Sequence, residues 1–353
     1  MDYVRDYETI RKRLHLLLEG QLLDRCCVAV TAPKDPLHPF VAEPTGDETW
    51  YMDGECLLRR HLERFEKTYF AGDALPFVFP YFGTGGHAKY FGEDVPVKYD
   101  KDTIWIDPFL DSCADLRPAD LSRSTYFKRE CDVMRYLVEE SRGRFLVSMP
   151  DNCGSYDALA QLRGSENLLM DFYDEPEAVE QAGDLVVDCL RQSCEVMFDI
   201  IRDNNGGSTH SWMNLHSTGR IMQLQCDLSV MMSPAMYDRF IMRELRGTLG
   251  SLDNAAYHID GQEQIRHLDL LLSLDGIDTF QWTPVAGQPP VTAFFPVLQK
   301  IQAAGKGLVL IISKDQLRPV MENLSSPGLM LIVNDAASPE EAEDIVRYVE
   351  KHT

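Results

Sequence analysis

Eight short apolar runs recur along the chain, and most of them are separated by segments with helical periodicity. The runs cover residues 77–82, 144–149, 210–215, 221–226, 255–259, 277–282, 308–312 and 329–333. Strands that alternate with helices favour a parallel sheet covered by helices, and eight such repeats are the number that closes into a barrel. We therefore predict an α/β fold: a (β/α)8 TIM barrel with an N-terminal helical extension.

The beginning of the chain departs from this pattern. Residues 5–19 have the periodicity of a surface helix with one buried stripe, and residues 31–54 are rich in Pro, Gly, Asp and Thr. We assign residues 1–75 to an extension packed on the barrel and residues 76–353 to the barrel itself.

The charge balance limits the partners. The chain has 34 Lys and Arg residues against 56 Asp and Glu residues, a formal net charge of −22. Nucleic acid and anionic membranes attract basic surfaces, so neither is expected as a partner. No apolar run approaches the ~18 residues of a membrane span, and the N-terminus lacks the apolar segment of a secretory signal. Nine cysteines without a CxxC pair are typical of free thiols, so we expect a cytoplasmic protein.

Residues 257–284 combine strand, loop, helix and strand, which is one βαβ unit of a parallel sheet. Polar and aromatic side chains gather at the carboxyl ends of its two strands. His258 and Asp260 stand on the first, and Gln281 and Trp282 on the second. Because parallel α/β proteins build their sites at these strand ends, we expect the unit to form part of an active-site floor.

His258 and Asp260 are two residues apart, so a continuous strand points both to one face. A histidine and a carboxylate on one face can form an acid/base pair or supply two ligands of a metal ion. Asp227 follows the run 221–226, where a carboxylate must meet solvent, a cation or a ligand. We predict Asp227, His258 and Asp260 as catalytic residues. His258, Asp260 and Cys226 are the candidate metal ligands, although Cys226 also suits a small buried apolar position.

Aromatic residues at strand ends indicate the walls of a substrate pocket. Trp212 and Trp282 could enclose a planar or methylated ligand, or each could cap the core. The first run ends in a glycine cluster, a turn that allows close backbone approach to a ligand. The predicted substrate-binding residues are Tyr81, Gly83, Trp212, His216, Gln281 and Trp282.

The order of three stretches resembles the uroporphyrinogen decarboxylase superfamily, which includes cobalamin-dependent methyltransferases acting on methanol, methylamines and aryl methyl ethers. The stretches are CDLSVMMSPAMYDRFIMRELRGTL, YHIDG and LLSLDGIDTFQW, followed by a final helix. The resemblance covers roughly residues 75–353. It implies a (β/α)8 barrel with a deep pocket at the C-terminal mouth.

Two motifs of that superfamily are altered. The decarboxylase motif R-Q-A-G-R-Y is missing. The zinc motif H-x-C-G of the coenzyme M methyltransferases reads His258-Ile259-Asp260-Gly261, and Asn334-Asp335 stand where a later cysteine ligand would fall. A harder His/Asp site could still hold zinc.

The resemblance therefore implies a methyltransferase that demethylates a small metabolite and passes the methyl group to a corrinoid protein. Zinc is the expected cofactor, and a partner protein supplies the corrinoid. His258, Asp260 and Asp227 would protonate or polarise the leaving group. Two alternatives remain open: a decarboxylase of a porphyrinogen-like or other carboxylated substrate, and a non-catalytic ligand-binding barrel. A homodimer is compatible with the sequence.

Overall fold

Thirteen strands and thirteen α-helices make up the computed structural model, which describes residues 1–44, 46–101, 103–283 and 285–353. The strands are β1 (Cys27–Pro33), β2 (Thr68–Gly72), β3 (Phe77–Val78), β4 (Val97–Tyr99), β5 (Ile104–Ile106), β6 (Leu146–Val147), β7 (Ser208–His210), β8 (Leu215–Ser217), β9 (Ile221–Leu224), β10 (Asn254–Asp260), β11 (Thr279–Thr283), β12 (Gly307–Ile312) and β13 (Leu329–Val333). Pro284, which ends the predicted βαβ unit, lies outside the described residues.

The α-helices connect the strands and cover the sheet. They are α1 (Tyr7–Leu18), α2 (Glu48–Met52), α3 (Gly54–Lys67), α4 (Thr125–Ser141), α5 (Ser155–Arg163), α6 (Ser165–Asp174), α7 (Pro176–Asn205), α8 (Pro234–Met236), α9 (Met242–Leu249), α10 (Leu268–Leu272), α11 (Phe295–Ala303), α12 (Leu317–Asn323) and α13 (Pro339–His352). Short 3-10 helices include Asp227–Met231 and Gln262–His267, and a π-helix spans Tyr237–Ile241. Of the described helices, each is too short or too polar to cross a membrane.

The main sheet has seven strands in the order β2–β1–β13–β12–β11–β10–β9. All neighbours in it are parallel except β1 and β2. A second sheet pairs β3 with β6 in parallel, and two antiparallel hairpins join β4 to β5 and β7 to β8. These pairings confirm the predicted α/β class. Within the described ranges no ladder closes the sheets into a barrel, so closure stays a prediction.

Most of the predicted strands form, but several are shorter than the apolar runs. The run 77–82 contracts to β3 and the run 144–149 to β6. The prediction of a continuous strand over residues 210–215 was wrong, because a turn separates β7 from β8. Asn214 closes that turn with a φ of 49°, donates a hydrogen bond to the Asp73 carbonyl and accepts one from the Leu75 amide. Its side chain thereby satisfies two backbone groups of the segment that follows β2.

The stretch predicted as an extension contributes two strands to the main sheet. β1 pairs in parallel with β13, and β2 pairs with β1. The apolar run of β1 is seven residues long, and its partner strand lies about 300 residues away in sequence. Only this long-range pairing identifies it as part of the sheet. The division of the chain at residue 75 stays a prediction.

Side chains alternate between the two faces of each strand, so the hydrophobic core has two layers, one on each face of the sheet. One layer lies between the sheet and the outer helices, and it includes Tyr257 and Trp282. The other includes Ala256 and Val309, whose side chains point to the opposite face, and it also contains the buried stripe of α1. The predicted N-terminal helix is confirmed. It packs against the face of the sheet that also carries the polar strand ends described below.

A buried ionic network joins the start of β1 to the end of β2. The Asp73 carboxylate is fully buried and accepts hydrogen bonds from Arg25 Nη1 at 2.6 Å, the Val28 amide at 2.9 Å and Arg13 Nη1 at 3.1 Å. Arg25 is itself only 3% exposed. Removing one partner of a buried pair leaves the other charge without compensation, which is far more costly than losing an exposed pair.

Asp73→Asn should lower the free energy of unfolding by about 3–5 kcal/mol, because buried Arg25 then keeps only the longer, 3.7 Å contact with the exposed Glu350 carboxylate. Asp24→Asn is the matched control. It removes a carboxylate that pairs with Arg13 at the surface and should cost less than about 1 kcal/mol. Urea unfolding of both variants measures the difference. Equal and small losses would show that Asp73 does not hold the two strands together.

Candidate functional site

Three of the predicted residues meet at the carboxyl ends of β9 and β10. Asp227 begins the 3-10 helix that follows β9, and His258 and Asp260 lie on one face of β10. One ligand atom from each of the three lies within 4.8 Å of the others. Across the described ranges this is the only group of three or more His, Cys, Asp and Glu residues with the spacing of a metal site.

The orientation of His258 is set by the neighbouring strand. β10 and β11 pair with His258 opposite Gln281, and Gln281 Oε1 lies 2.5 Å from His258 Nδ1. Gln281 Nε2 donates to the Trp282 carbonyl and to Thr283 Oγ1, so its amide oxygen must face the imidazole. Nδ1 therefore carries the proton, and the Nε2 lone pair is left available to a cation or a proton donor.

A chain of hydrogen bonds leads along the other side of the site. Trp212 Nε1 donates to Gln223 Oε1 at 2.9 Å, Gln223 Nε2 donates to Gln225 Oε1, and Gln225 Nε2 donates to Asp227 Oδ2 at 3.2 Å. Both amides are oriented in the same sense, so the chain begins at an indole donor and ends at a carboxylate acceptor. The Trp212 ring stands edge-on to His258, with ring centroids 5.3 Å apart. Trp212 is thus tied to both halves of the site.

A cavity of about 530 Å³ opens over these residues. Carboxylates, amides and one indole make up most of its polar wall. Its lining includes Thr84, Asp151, Cys153, Asp157, Gln161, Trp212, Gln223, Gln225, Asp227, Met231 and His258. A volume of this size accommodates a small metabolite, and its few directed polar groups would fix the orientation of that molecule.

Two carboxyl groups in the cavity hold protons more tightly than usual. Burial raises the pKa of Asp151 to about 6, against an opposing effect of His258 and a reinforcing effect of Asp227. The pKa of Asp227 is also raised, first by burial and further by Asp260, while His258 lowers it. Within the described residues, the Asp151 carboxylate has no hydrogen-bond partner. Asp151 can therefore exchange a proton near neutral pH, as a general acid or base must, and the pKa of Asp227 is raised in the same direction.

Sequence reasoning missed Asp151 and Asp157. Asp151 follows the run 144–149, so the rule that selected Asp227 could have selected it too. Asp157 lies on α5 and accepts the Asp227 and Leu228 amides at 2.9 and 2.8 Å, which caps the 3-10 helix. Burial and Asp227 raise its pKa. No sequence signal reveals this helix residue as part of the site.

Seven of the ten predicted residues do not line the cavity, and three of these seven are buried outside the site. Cys226 is fully buried and outside the group of three, and burial raises the pKa of its thiol well above the ordinary value. Trp282 is fully buried and packs on Phe294, with ring centroids 4.8 Å apart. His216 is buried in β8, where its Nε2 contacts the Asn205 carbonyl at 2.9 Å.

The remaining predicted residues have supporting positions. Gln281 orients His258 from below the cavity. Tyr81 packs among aromatic rings, including those of Trp50 and Phe79. Gly83 has a φ of +87°, and a Cβ there would come within 2.6 Å of Ile104, so the glycine lets the β4–β5 hairpin pack closely. A direct substrate contact by Tyr81 or Gly83 stays a prediction.

Comparison with known proteins gives matches among solved structures. Neither a protein-family model nor a curated protein matches this sequence. Among solved structures, a methyltransferase from Methanosarcina mazei is similar over 97% of this chain and 98% of its own, with a TM-score of 0.63 and 12% sequence identity. At this identity the likeness shows a shared fold, and it extends over nearly the whole of both chains.

Glu244 lies beneath the site and provides a test of its electrostatics. Its Oε1 accepts the Ser155 amide at 2.7 Å, whereas Oε2 is buried and has no partner among the described residues. Burial raises its pKa from 4.5 to about 7. The folded chain therefore holds this proton at higher pH than the unfolded chain does, and stability is lost as the pH rises through that window.

Glu244→Gln keeps the acceptor for Ser155 and removes the buried charge. The variant should be more stable than the wild type at pH 8, by up to about 3 kcal/mol, and the two should converge towards pH 4.5. Thermal unfolding at several pH values measures this, with the exposed Glu322→Gln as control. A difference that does not vary with pH would contradict the assignment of a raised pKa to Glu244.

Proposed function

We propose that this chain is a methyltransferase of the uroporphyrinogen decarboxylase superfamily that demethylates a small metabolite and passes the methyl group to a corrinoid protein. The observation that carries the proposal is the group of Asp227, His258 and Asp260, whose ligand atoms lie within 4.8 Å of one another beside a cavity of about 530 Å³. The same fold is found in a methyltransferase of nearly equal extent.

We also propose that the parallel strands belong to one complete (β/α)8 barrel. Six parallel strands of the main sheet, β1 and β9 to β13, together with the parallel pair β3 and β6, give the eight strands that a (β/α)8 barrel requires. The carboxyl ends of β6 and β9 lead into residues that line the cavity, and His258, near the carboxyl end of β10, lines it as well. Sites of such barrels lie at this end of the strands, which supports the interpretation of the cavity as an active site.

The donor set of the three residues fits a divalent metal ion. One imidazole nitrogen and two carboxylates are ligands that zinc and harder divalent cations accept, and three protein ligands leave a position for substrate. The Gln281 contact supplies the outer hydrogen bond that usually fixes a metal-bound histidine. When bound, such an ion would act as a Lewis acid toward the heteroatom that carries the methyl group.

The chain's own residues would bind the substrate and manage the proton. The half-buried Trp212 ring forms an apolar wall beside His258, against which a methyl group can pack. Asp227 and Asp151 hold their protons closer to neutral pH than ordinary carboxyl groups. With an ion bound, Asp227 would serve as a ligand, and Asp151 is the group that can return a proton to the heteroatom that loses its methyl group.

His258→Ala tests the metal site. Purified wild-type protein should contain close to one equivalent of a divalent metal, most plainly zinc, and His258→Ala should lose most of it because one of three protein ligands is gone. Elemental analysis provides the measurement, and the exposed His38→Ala is the matched control. Absence of metal from the wild type would leave His258 and Asp260 as an acid/base pair and favour decarboxylation or ligand binding.

Asp260→Ala tests the reaction. The enzyme is incubated with methanol, methylamines and aryl methyl ethers in the presence of a reduced corrinoid, and the demethylated products are measured by mass spectrometry. Loss of a metal ligand should reduce the rate about a hundredfold or more. The control, Asp269→Ala, removes an exposed carboxylate paired with Lys300. Full activity of Asp260→Ala on the substrate turned over by the wild type would refute its catalytic role.

A further inference from the structure

A second cavity, of about 260 Å³, lies beside the candidate active site. Trp212 lines both cavities, so its indole separates them. The wall of the second cavity is mostly apolar and carries four phenylalanine rings: Phe65, Phe70, Phe77 and Phe79. The end of a substrate that reaches past Trp212 from the active site would therefore enter an aromatic chamber.

The chamber has one cationic group. Arg64, in the last turn of α3, lines both this cavity and the adjoining outer groove. Arg64 is exposed to solvent, and its guanidinium makes no ion pair or hydrogen bond with any described residue. An uncompensated arginine is notable in a chain with 56 acidic residues.

Asn334 adds a second donor at the same passage. Thr31 Oγ1 donates to Asn334 Oδ1 at 2.9 Å, which turns the amide nitrogen away from Thr31. Asn334 Nδ2 has no hydrogen-bond partner in the described part of the chain. Thr31, Arg64 and Asn334 are shared by the chamber and the outer groove, so the guanidinium and the amide converge on one opening.

The chamber is also lined by an apolar residue that the fold leaves uncovered. Ile311 lies on β12, in the middle of the sheet, yet it is 38% exposed and lines the chamber. Side chains on a central parallel strand are ordinarily buried on both faces. An exposed isoleucine and an arginine in the wall of one mostly apolar cavity suit a molecule with an apolar body and an anionic end.

We infer that this chamber binds the carboxylate end of a small substrate, with Arg64 as its counter-ion and the Asn334 amide as a second donor. The inference rests on the proposed function, since it assigns the reacting methyl group to the His258 side of Trp212 and the carboxylate to the Arg64 side. A planar guanidinium matches a carboxylate in two parallel hydrogen bonds. A single cation suits a monoanion, whereas a phosphate would leave charge unbalanced.

Benzoate and benzyl alcohol are the probes, because they share a ring and differ in the anionic group. Calorimetric titration should show that the wild type binds benzoate and that Arg64→Gln weakens this binding about ten- to a hundredfold. Benzyl alcohol should bind both proteins equally. Arg59→Gln removes the same charge from the same helix at an exposed ion pair with Glu43, and it should bind benzoate like the wild type.

His258→Ala separates this inference from the proposed function. The variant should lose metal but keep its affinity for benzoate, because Arg64 and the chamber are intact. Equal benzoate affinity in Arg64→Gln and the wild type overturns the inference, and so does a wild type that binds no benzoate at concentrations up to about 50 mM. Loss of benzoate binding in His258→Ala but not in Arg64→Gln also overturns it, since the anion would then lie at the metal group.

Discussion

The register between β10 and β11 is the constraint on which the candidate site depends. It places His258 opposite Gln281, and side chains alternate between the two faces of each strand. A slip of β11 by one residue against β10 would send Trp282 into the cavity and turn Gln281 away from His258. The large apolar residues on the outer face prevent that slip, because Tyr257, Ile259 and Trp282 are fully or almost fully buried there. The outer core therefore holds the polar inner face in position.

How far the sequence predicts this structure depends on the range of the interaction. His258, Asp260 and Asp227 follow from local rules: two-residue spacing along a strand, and polar groups at strand ends. The same alternation excludes Trp282 from the cavity once Gln281 faces inward, since adjacent strand residues point to opposite faces. Asp157 and Glu244 lie on helices and approach the site only through tertiary packing. β1 is recognised only by its pairing with β13, and no local pattern contains that information.

The site combines two kinds of electrostatic environment. Asp151, Asp157, Asp227 and Asp260 lie in or beside one cavity, and burial together with mutual repulsion raises the pKa of the first three. Such a concentration of carboxyl groups favours cations and protons over anions. The neighbouring chamber has the opposite character, because its one charged residue is Arg64. The indole of Trp212 thus stands between an acidic and a basic compartment within a strongly acidic protein.

The candidate site also lies at one edge of the main sheet. Among the strands of the described residues, β9 is an edge strand whose one ladder partner is β10. Beyond it, the contacts are single side-chain bonds: Ser208 Oγ accepts the Ile221 amide at 2.7 Å, and Asn152 Nδ2 donates to the Gln223 carbonyl at 3.1 Å. Bonds of this kind can lengthen or exchange one at a time, whereas a ladder breaks cooperatively. The wall that carries Asp151 is therefore mechanically compliant relative to the wall that carries His258, and the width of the cavity can adjust without unpairing a strand.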